Sequence, residues 1–351
     1  MAPDNPGTTA VIEIIAGDGT VTPMRTNTLR MDVCEAGFHH TGEVGFLINE
    51  ETLPGFEAIR HDFEIRAQGS DLVLYRSVKP EIHLQERIFR FEMQAMPYAM
   101  TEAAWSRNFA LYYSAVERHP FDTLRWILSS PDAPSIALSG RINLPRYEHY
   151  LRQHNFKFVA MLRDPYEELA ERILFSRYAR SANANPELRH HMTGFEGLEH
   201  VSRRINLAVP STIPEAFAYM SDKQIHELSN PVVTALTCNM DEYPTRLHVE
   251  VALNRLATMD LVGVRSRYPH FKSTLAAVIG RDILPDEPTK IESVSALVPH
   301  LREVKLLKSM FKLDELLYQY TQEAVDRALK MSPSTPPSEH DFPKVSELDD
   351  A

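Results

Sequence analysis

Short apolar runs separated by turn residues characterise the beginning of the chain. Val11–Ile15 has the composition of a β-strand, and Gly17–Gly19 directly after it is a turn signal. Further extended pieces are predicted at residues 46–48 and 63–65. We therefore predict that residues 1–70 form a β-rich N-terminal extension.

From residue 71 onwards, short apolar runs alternate with stretches of helical spacing. The runs Leu72–Tyr75, Ser135–Leu138 and Phe156–Leu162 are predicted strands. Such alternation is typical of parallel strands joined by crossover helices. The predicted fold class is α/β, with a central, mostly parallel sheet flanked by helices over residues 71–330.

Helical spacing marks several stretches between and after these runs. A helix is predicted over Glu81–Gln94, because Leu84, Ile88 and Phe91 would lie near one face. Later in the chain, the pattern predicts three successive elements: a helix over Leu247–Met259, a strand at Val262–Val264 and a helix over Phe271–Ile279 that Gly280 closes. These elements read as core features to which we assign no chemistry.

The last residues differ from the rest of the chain. Residues 331–351 are rich in proline and serine and end in acidic residues. They contain too little apolar surface to offset the entropy of an ordered chain. We predict a disordered acidic tail there.

Composition narrows the function classes. In 351 residues, 43% are hydrophobic and 24% charged, which is typical of a globular protein. The net charge of −11 disfavours nucleic-acid binding, which needs a basic surface. Two cysteines are too few for a disulfide framework, and no Cys/His spacing predicts a zinc site. With no membrane-length apolar run and no signal-peptide pattern, we expect a cytoplasmic protein without a membrane partner.

The strongest local signal is the turn that follows Phe156–Leu162. Asp164 is a good N-cap, Pro165 suits the first helical position, and Glu167 would complete a capping box. Arg163 is thereby predicted at the carboxyl end of a strand and beside a helix N-terminus, where a guanidinium and free N–H groups can bind phosphate. The same residues would also form an ordinary strand-to-helix turn, with Arg163 in a structural ion pair.

The order of several segments resembles the carbohydrate-type sulfotransferases, which use the sulfonate donor PAPS and have a P-loop-like fold. The segments that carry this resemblance are Ser139–Arg141, Leu162–Pro165, Asn230–Leu236, Ala252–Leu256, Asp260–Arg265 and Asp314–Tyr318. They extend over about Ser135 to Leu329, so the resemblance covers the α/β region and leaves the N-terminal extension without a counterpart.

The resemblance implies where the donor would bind. The loop that holds the 5′-phosphosulfate corresponds to the segment that contains Arg76, Ser77 and Lys79, although glycine is missing from it. Sulfonate transfer needs positioning, a cation on the sulfonate oxygens and a base for the acceptor hydroxyl. Lys79 is then the candidate cation, and His83 and Glu86 are the candidate bases.

A second departure concerns the 3′-phosphate of PAPS. The family places a serine eight residues after the arginine of Arg-Asp-Pro, and here that position is Glu171. A carboxylate there would repel phosphate unless Arg172 or Arg177 compensated for it. Alternatively, Glu171 would bind free ribose hydroxyls, which implies a donor without a 3′-phosphate.

Three functions remain open at this point. The resemblance favours an enzyme that moves a sulfonate group from PAPS, without a metal, to a hydroxyl of a glycan or small metabolite. His190 and His191 would then line the acceptor cleft. One alternative is a degenerate member of the family with a binding or assembly role. The other is a transferase with another nucleotide donor, for which this sequence lacks the Walker loop. Homo-oligomerisation is compatible with all three.

Overall fold

A computed structural model of the chain describes residues 9–35, 37, 39–69, 72–129, 133–181, 186–239 and 242–331. Of the predicted tail, only Met331 is among them, and it ends the last helix. The chain forms two compact units. The first runs to Gln85 and includes Ser106–Leu111, and the second comprises Glu86–Trp105 and the residues from Tyr112 onwards.

The first unit is built on antiparallel strands. Its strands are β1 (Val11–Ala16), β2 (Val21–Arg25), β3 (Thr28–Leu29), β4 (Glu43–Gly45), β5 (Phe63–Ala67) and β6 (Val73–Arg76), and its helices are α1 (Met31–Glu35) and α2 (Phe56–Ile59). Four strands form a sheet in the order β2-β1-β5-β6. Alternate residues of β1 and β5 face its core, which contains Ile12, Ile14, Phe63 and Ile65. The predicted strands at residues 11–15 and 63–65 are therefore confirmed, whereas residues 46–48, after β4, belong to no strand.

The run Leu72–Tyr75 forms a strand, but not in the predicted sheet. It lies in β6, which pairs with β5 in antiparallel register, with Tyr75 opposite Ile65. An apolar run identifies a strand without identifying its partner. The run therefore belongs to the first unit and not to the α/β region.

The second unit contains the predicted parallel sheet. Its strands are β7 (Arg87–Phe91), β8 (Leu111–Tyr113), β9 (Ile136–Gly140), β10 (Lys157–Leu162) and β11 (Leu261–Val264), in the spatial order β11-β10-β7-β9-β8. The pairs β7–β9, β7–β10 and β10–β11 are all parallel. The α/β fold class is confirmed, with helices flanking the sheet.

The predicted helix over Glu81–Gln94 is wrong. Residues 87–91 form β7, the central strand, and residues 84–86 before it are irregular. The spacing of Leu84, Ile88 and Phe91 imitates a helical face. However, Ile88, Phe89 and Phe91 are all fully buried, because neighbouring strands and both faces of the sheet enclose them.

The helices of the chain from residue 99 onwards surround this sheet. They are α3 (Ala99–Asn108), α4 (Phe121–Ser129), α5 (Leu144–Gln153), α6 (Pro165–Tyr178), α7 (Leu198–Arg204), α8 (Thr212–Ala218), α9 (Asp222–Leu228), α10 (Pro231–Thr237), α11 (Arg246–Ala257), α12 (Tyr268–Ile279), α13 (Glu292–Arg302), α14 (Lys305–Met310) and α15 (Lys312–Met331), with 3-10 helices at Val116–Arg118, Pro186–Met192 and Arg265–Arg267. The predicted elements around α11, β11 and α12 are confirmed. Gly280 ends α12 in the left-handed conformation, with φ of 75°.

Two helix N-termini cap each other in the core of the second unit. The Asp314 carboxylate of α15 accepts hydrogen bonds from the N–H groups of Val232 and Val233 at the start of α10, at 3.0 and 2.9 Å. In return, the Asn230 side chain before α10 accepts from the N–H of Leu313, at 2.8 Å. These bonds satisfy donors that a buried helix start would otherwise leave unpaired.

Among the described residues, no helix is both long and apolar enough to cross a membrane.

Candidate functional site

The strand order creates a crevice at the carboxyl edge of the parallel sheet. After β7 the chain proceeds to β8 on one side of the sheet, whereas after β10 it proceeds to β11 on the other side. Because β7 and β10 are neighbours, their carboxyl ends form a topological switch point, which is where open α/β sheets bind ligands. The residues that follow these two strands are therefore the first candidates for function.

The N-cap and the proline predicted for the turn after β10 are confirmed, whereas the capping box expected from Glu167 is not among the contacts of α6. Asp164 caps α6 by accepting hydrogen bonds from the N–H groups of Tyr166 and Glu167, and Pro165 occupies the first turn. Arg163 is thus held at the carboxyl end of β10, beside the start of α6. The prediction of its backbone position is correct.

The guanidinium of Arg163 forms a buried ion pair with Glu171. Arg163 Nη2 donates to Glu171 Oε2 at 2.8 Å, and both side chains are 1% exposed. The Tyr98 hydroxyl donates to the same carboxylate oxygen, and the Met96 N–H donates to the other oxygen at 3.4 Å. Glu171 is therefore a hydrogen-bonded partner of Arg163 within the protein.

The pKa shifts in this cluster follow from burial and charge. Burial, together with the negative charge of Glu171, raises the pKa of the Tyr98 hydroxyl well above its ordinary value. Burial alone would lower the pKa of Arg163, but the attraction of Glu171 outweighs it and raises that pKa. Arg163 is consequently a permanent cation whose charge is already balanced.

A second buried ion pair lies along the same helix. Arg172 donates to Glu168 at 2.8 Å and to the carbonyl of Met93 at 3.1 Å. Burial raises the pKa of the Glu168 carboxyl to about 7, an effect that the charge of Arg172 only partly offsets. The loop after β7 is thereby attached to α6.

The carboxyl end of β7 itself carries charge. Arg90 donates to Ser139 Oγ at 3.0 Å and lies 3.4 Å from Glu102 and 3.7 Å from Glu92. Glu92 in turn accepts a hydrogen bond from the N–H of Gln94 at 3.0 Å. The loop between β7 and α3 therefore starts with a carboxylate, and residues 92–98 contain no glycine.

Arg141, at the carboxyl end of β9, also has a carboxylate partner. It forms an ion pair with Glu117 and donates to the carbonyls of Gln94, His191 and Thr193 at 3.1, 2.9 and 3.2 Å. Gly140 permits the approach of Glu117. A Cβ at Gly140 would lie 2.8 Å from the Val116 nitrogen and closer still to the Glu117 carboxylate.

These groups line a narrow crevice on both sides of the loop after β7. Arg90, Glu92 and Gln94 face both parts of it. One part is also lined by Tyr98 and Arg265 and has a cavity volume of about 30 Å³, and the other, which His191 lines, has about 20 Å³. Each space holds about one or two waters, so a ligand as large as a sugar or a nucleotide would have to lie across the open mouth of the crevice.

The residues predicted to bind the phosphosulfate lie in the first unit. Arg76 ends β6 and pairs with Glu64 at 2.6 Å, and Ser77 Oγ accepts from the N–H of Phe63 at 3.2 Å. They follow an edge strand of the antiparallel sheet, and no parallel strand precedes them. In the parallel sheet the loop after the first strand is residues 92–98, which the wrong helix prediction concealed.

The three predicted catalytic residues are engaged elsewhere. Lys79 pairs with Asp62 at 2.8 Å, and its N–H donates to His83 Nδ1 at 3.0 Å, which closes a turn in the first unit. Glu86 pairs with Lys157 at 2.7 Å, where β7 and β10 begin. Glu86 therefore lies at the end of the sheet opposite the carboxyl edge. Of the predicted site residues, Arg163 and Glu171 are the two that lie at this edge.

Sequence reasoning missed Arg90, Glu92, Gln94 and Tyr98. The available signal was the group Arg87–Phe91, whose aromatic and β-branched residues suit a strand as well as a helix. A strand there would have placed Glu92 and Gln94 at a carboxyl end.

One group of side chains in the second unit resembles a metal site. Potential ligand atoms of Cys238, Glu242 and His248 lie within 4.8 Å of one another. However, His248 Nδ1 accepts a hydrogen bond from the N–H of Thr245 at 3.0 Å, and its Nε2 lies 3.1 Å from Glu242. Neutral His248 thus carries its proton on Nε2 and donates it to Glu242, so neither ring nitrogen offers a lone pair to a metal.

The residues present do not fit PAPS. Its 3′-phosphate would meet Glu171 instead of a free Arg163, and its 5′-phosphosulfate would meet Glu92 in a loop without glycine. Comparison of the chain with known protein families and with curated proteins gives no match. A functional assignment therefore depends on the geometry of the crevice.

Proposed function

We propose that this protein is a binding protein on a sulfotransferase-like fold, and that the crevice at the carboxyl edge of its parallel sheet takes a neutral, hydroxyl-rich ligand such as a sugar. The observation that carries this proposal is the ion pair between Arg163 and Glu171, with both side chains 1% exposed. Arg163, the predicted phosphate ligand at this edge of the sheet, is already neutralised inside the protein.

The charge balance of the crevice supports a neutral ligand. Five arginines and five glutamates lie at or directly behind this edge: Arg90, Arg141, Arg163, Arg172 and Arg265 with Glu92, Glu102, Glu117, Glu168 and Glu171. An anion at any of these arginines except Arg265, which donates to the carbonyl of Thr289, would have to displace a carboxylate from its arginine. A buried charge that loses its partner costs several kcal/mol, about 3–5.

The mixture of donors and acceptors also suits hydroxyl groups. A hydroxyl both donates and accepts, so it can bridge a glutamate and an arginine that lie next to each other, as Glu92 and Arg90 do at 3.7 Å. Aromatic rings of Tyr98 and Tyr268 line the same part of the crevice and offer an apolar face to a sugar ring.

Sulfonate transfer from PAPS is the second candidate. It is favoured by the position of Arg163 at the switch point, beside the first N–H groups of α6. It would require Glu171 to leave Arg163 when the donor binds.

Thermal unfolding distinguishes the two candidates, because a ligand that binds only the folded state raises the melting temperature. In the double variant Arg180→Gln/Arg203→Gln, which removes two arginines of a separate cavity at the far end of α6, we expect no shift with adenosine 3′,5′-bisphosphate, ADP or ATP, and a shift with at least one of glucose, galactose, mannose and N-acetylglucosamine. Glu92→Gln should abolish the sugar shift. The matched control is Glu86→Gln at the other end of the same strand, which should keep it.

The variant Glu171→Ser tests the reason for the first expectation. It should be less stable than wild type and should regain melting temperature when adenosine 3′,5′-bisphosphate is added, because Arg163 then lacks a countercharge. A bisphosphate shift in the Arg180→Gln/Arg203→Gln background would overturn the proposal in favour of the second candidate. A wild type that responds to no sugar would overturn the choice of ligand.

A further inference from the structure

A cavity at the far end of α6 differs in charge from the crevice. Four arginines line it: Arg177 and Arg180 at the end of α6, Arg189 in the following 3-10 helix, and Arg203 in the last turn of α7. The buried side chain of Ser202 lies among them. The volume of the cavity is about 450 Å³, which is in the range of small-molecule sites.

Glu199 is the carboxylate that partners these arginines within the described part of the chain. It pairs with Arg203 at 2.8 Å through one oxygen and with Arg180 through the other. It therefore draws two guanidinium groups towards the same place. Arg177 is fixed separately, since its Nη1 donates to the carbonyl of Ile205 at 2.6 Å.

The charges of the described side chains around the cavity do not cancel. Four arginines line it, and with the glutamate that pairs with two of them they sum to +3, in a protein whose net charge is −11. Desolvation and repulsion from Arg203 and Arg189 lower the pKa of Arg180, which is the effect expected where cations crowd together. An anion between the guanidinium groups would relieve this repulsion.

We propose that this cavity is a binding site for a small, multiply charged oxyanion, namely the phosphate groups of a phosphorylated metabolite. Guanidinium groups bind phosphate through paired N–H donors, and several of them can share one diphosphate. The concave shape and the acidic surface of the rest of the protein favour a small molecule over nucleic acid.

This site is independent of the crevice at the carboxyl edge. Arg177 lies twelve residues after Pro165, and hence roughly 18 Å along α6 from the switch point. The two sites therefore lie at opposite ends of one helix, and each can be tested without the other.

Calorimetric titration with inorganic pyrophosphate tests the proposal, with KCl added to keep the ionic strength constant. We expect saturable binding to the wild type and at least a tenfold loss of affinity in the double variant Arg180→Gln/Arg203→Gln. The matched control is Arg327→Gln, because Arg327 also pairs with a glutamate one helical turn away on an exposed surface. Its affinity should equal that of the wild type.

A second variant makes the opposite prediction. Glu199→Gln removes the one carboxylate and should tighten pyrophosphate binding several-fold, as a purely structural ion pair would not. Absence of saturable binding to the wild type, or equal affinity in the Arg180/Arg203 double variant, would overturn the proposal. Neither result depends on whether the crevice binds a sugar.

Discussion

Arg163 directly follows strand β10, Glu171 lies two turns into helix α6, and the two side chains form an ion pair from which water is excluded. The strand-to-helix turn places the arginine where ligands bind in α/β sheets, and the helix carries the carboxylate that neutralises it. The Tyr98 hydroxyl and the Met96 N–H add two hydrogen bonds to the carboxylate. The pair thereby makes Arg163 part of the protein interior.

Removal of one partner from this pair should be far more harmful than removal of both. We expect Glu171→Met to lower the free energy of unfolding by about 3–5 kcal/mol, because it leaves Arg163 buried without a countercharge. Adding Arg163→Met should recover at least half of that loss, since two apolar side chains pack without desolvated charges. Urea unfolding of the single and double variants measures the coupling.

The control for this cycle is the exposed pair of Lys223 and Glu227, whose charged atoms are 3.7 Å apart. The corresponding methionine variants should change the free energy of unfolding by less than about 0.5 kcal/mol, singly or together. Strictly additive losses at Arg163 and Glu171 would contradict a coupled buried pair.

Gly140 should not tolerate a side chain. Gly140→Ala would force Glu117 away from Arg141, and we expect it to cost about 1–3 kcal/mol of stability through overpacking. Gly197→Ala is the matched control. Its Cβ would come nearest to the flexible side chain of Gln224, at 3.3 Å, with Leu228 at an ordinary contact distance of 3.7 Å, and its φ of −60° suits alanine. Thermal unfolding of both variants is sufficient, and similar losses in the two would show that the contact with Glu117 is unimportant.

Stability should decline between about pH 5 and pH 8 because of Glu168. Burial raises the pKa of this carboxyl from 4.5 to about 7, so the folded state holds the proton more tightly than the unfolded chain does. The stabilising contribution is therefore complete below the unfolded pKa and is lost as the pH rises through the folded pKa, with a total of roughly 1–3 kcal/mol. Asp314, whose pKa burial raises to about 6, acts in the same direction.

The measurement is the free energy of unfolding across this pH range in the wild type and in Glu168→Gln. The stability of the variant should be closest to that of the wild type below about pH 5, where Glu168 is itself neutral, and it should decline less with pH. Glu167→Gln, a change of the neighbouring residue on the same helix, should retain the pH dependence of the wild type. His154 titrates in the opposite direction, since burial lowers its pKa, and it is common to all three proteins. Parallel curves for wild type and Glu168→Gln would refute the assignment.

The reciprocal caps of α10 and α15 should contribute strongly to stability. Asp314→Ala removes the acceptor of two buried N–H groups at the start of α10, and we expect a loss of about 2–4 kcal/mol. Asp326 lies on the same helix, and Asp326→Ala breaks only its exposed ion pair with Arg267. This variant should lower the free energy of unfolding by less than about 1 kcal/mol. Chemical denaturation compares the two, and equal losses would contradict the capping role.

Local chemistry explains where sequence interpretation succeeded. The strand Lys157–Leu162, the cap Asp164 and the helix Pro165–Tyr178 follow from residues that act within one turn of each other. The same is true of Gly280 at the end of α12. Each signal is independent of the rest of the fold, so the sequence is enough to read it.

The errors concern elements whose conformation depends on distant partners. Arg87–Phe91 has apolar residues at a spacing that suits a helix, and it becomes a strand because β9 and β10 pair with it on either side. That misinterpretation moved the predicted donor loop to Arg76–Lys79, in the other unit. Periodicity describes which side of a segment is apolar, but not which segments lie beside it.

The sequence alone therefore determined the α/β class, the turn that holds Arg163 at a strand end, and the presence of a carboxylate at position 171. Only the tertiary structure decided that β7 is the central strand and that Glu92 and Gln94 follow it. It also decided that the Tyr98 hydroxyl, 73 residues before Glu171 in sequence, donates a hydrogen bond to the carboxylate that neutralises Arg163. The physical reason is that caps and turns are stabilised by neighbours in sequence. The charge state and accessibility of a buried group, in contrast, depend on every group that the fold packs around it.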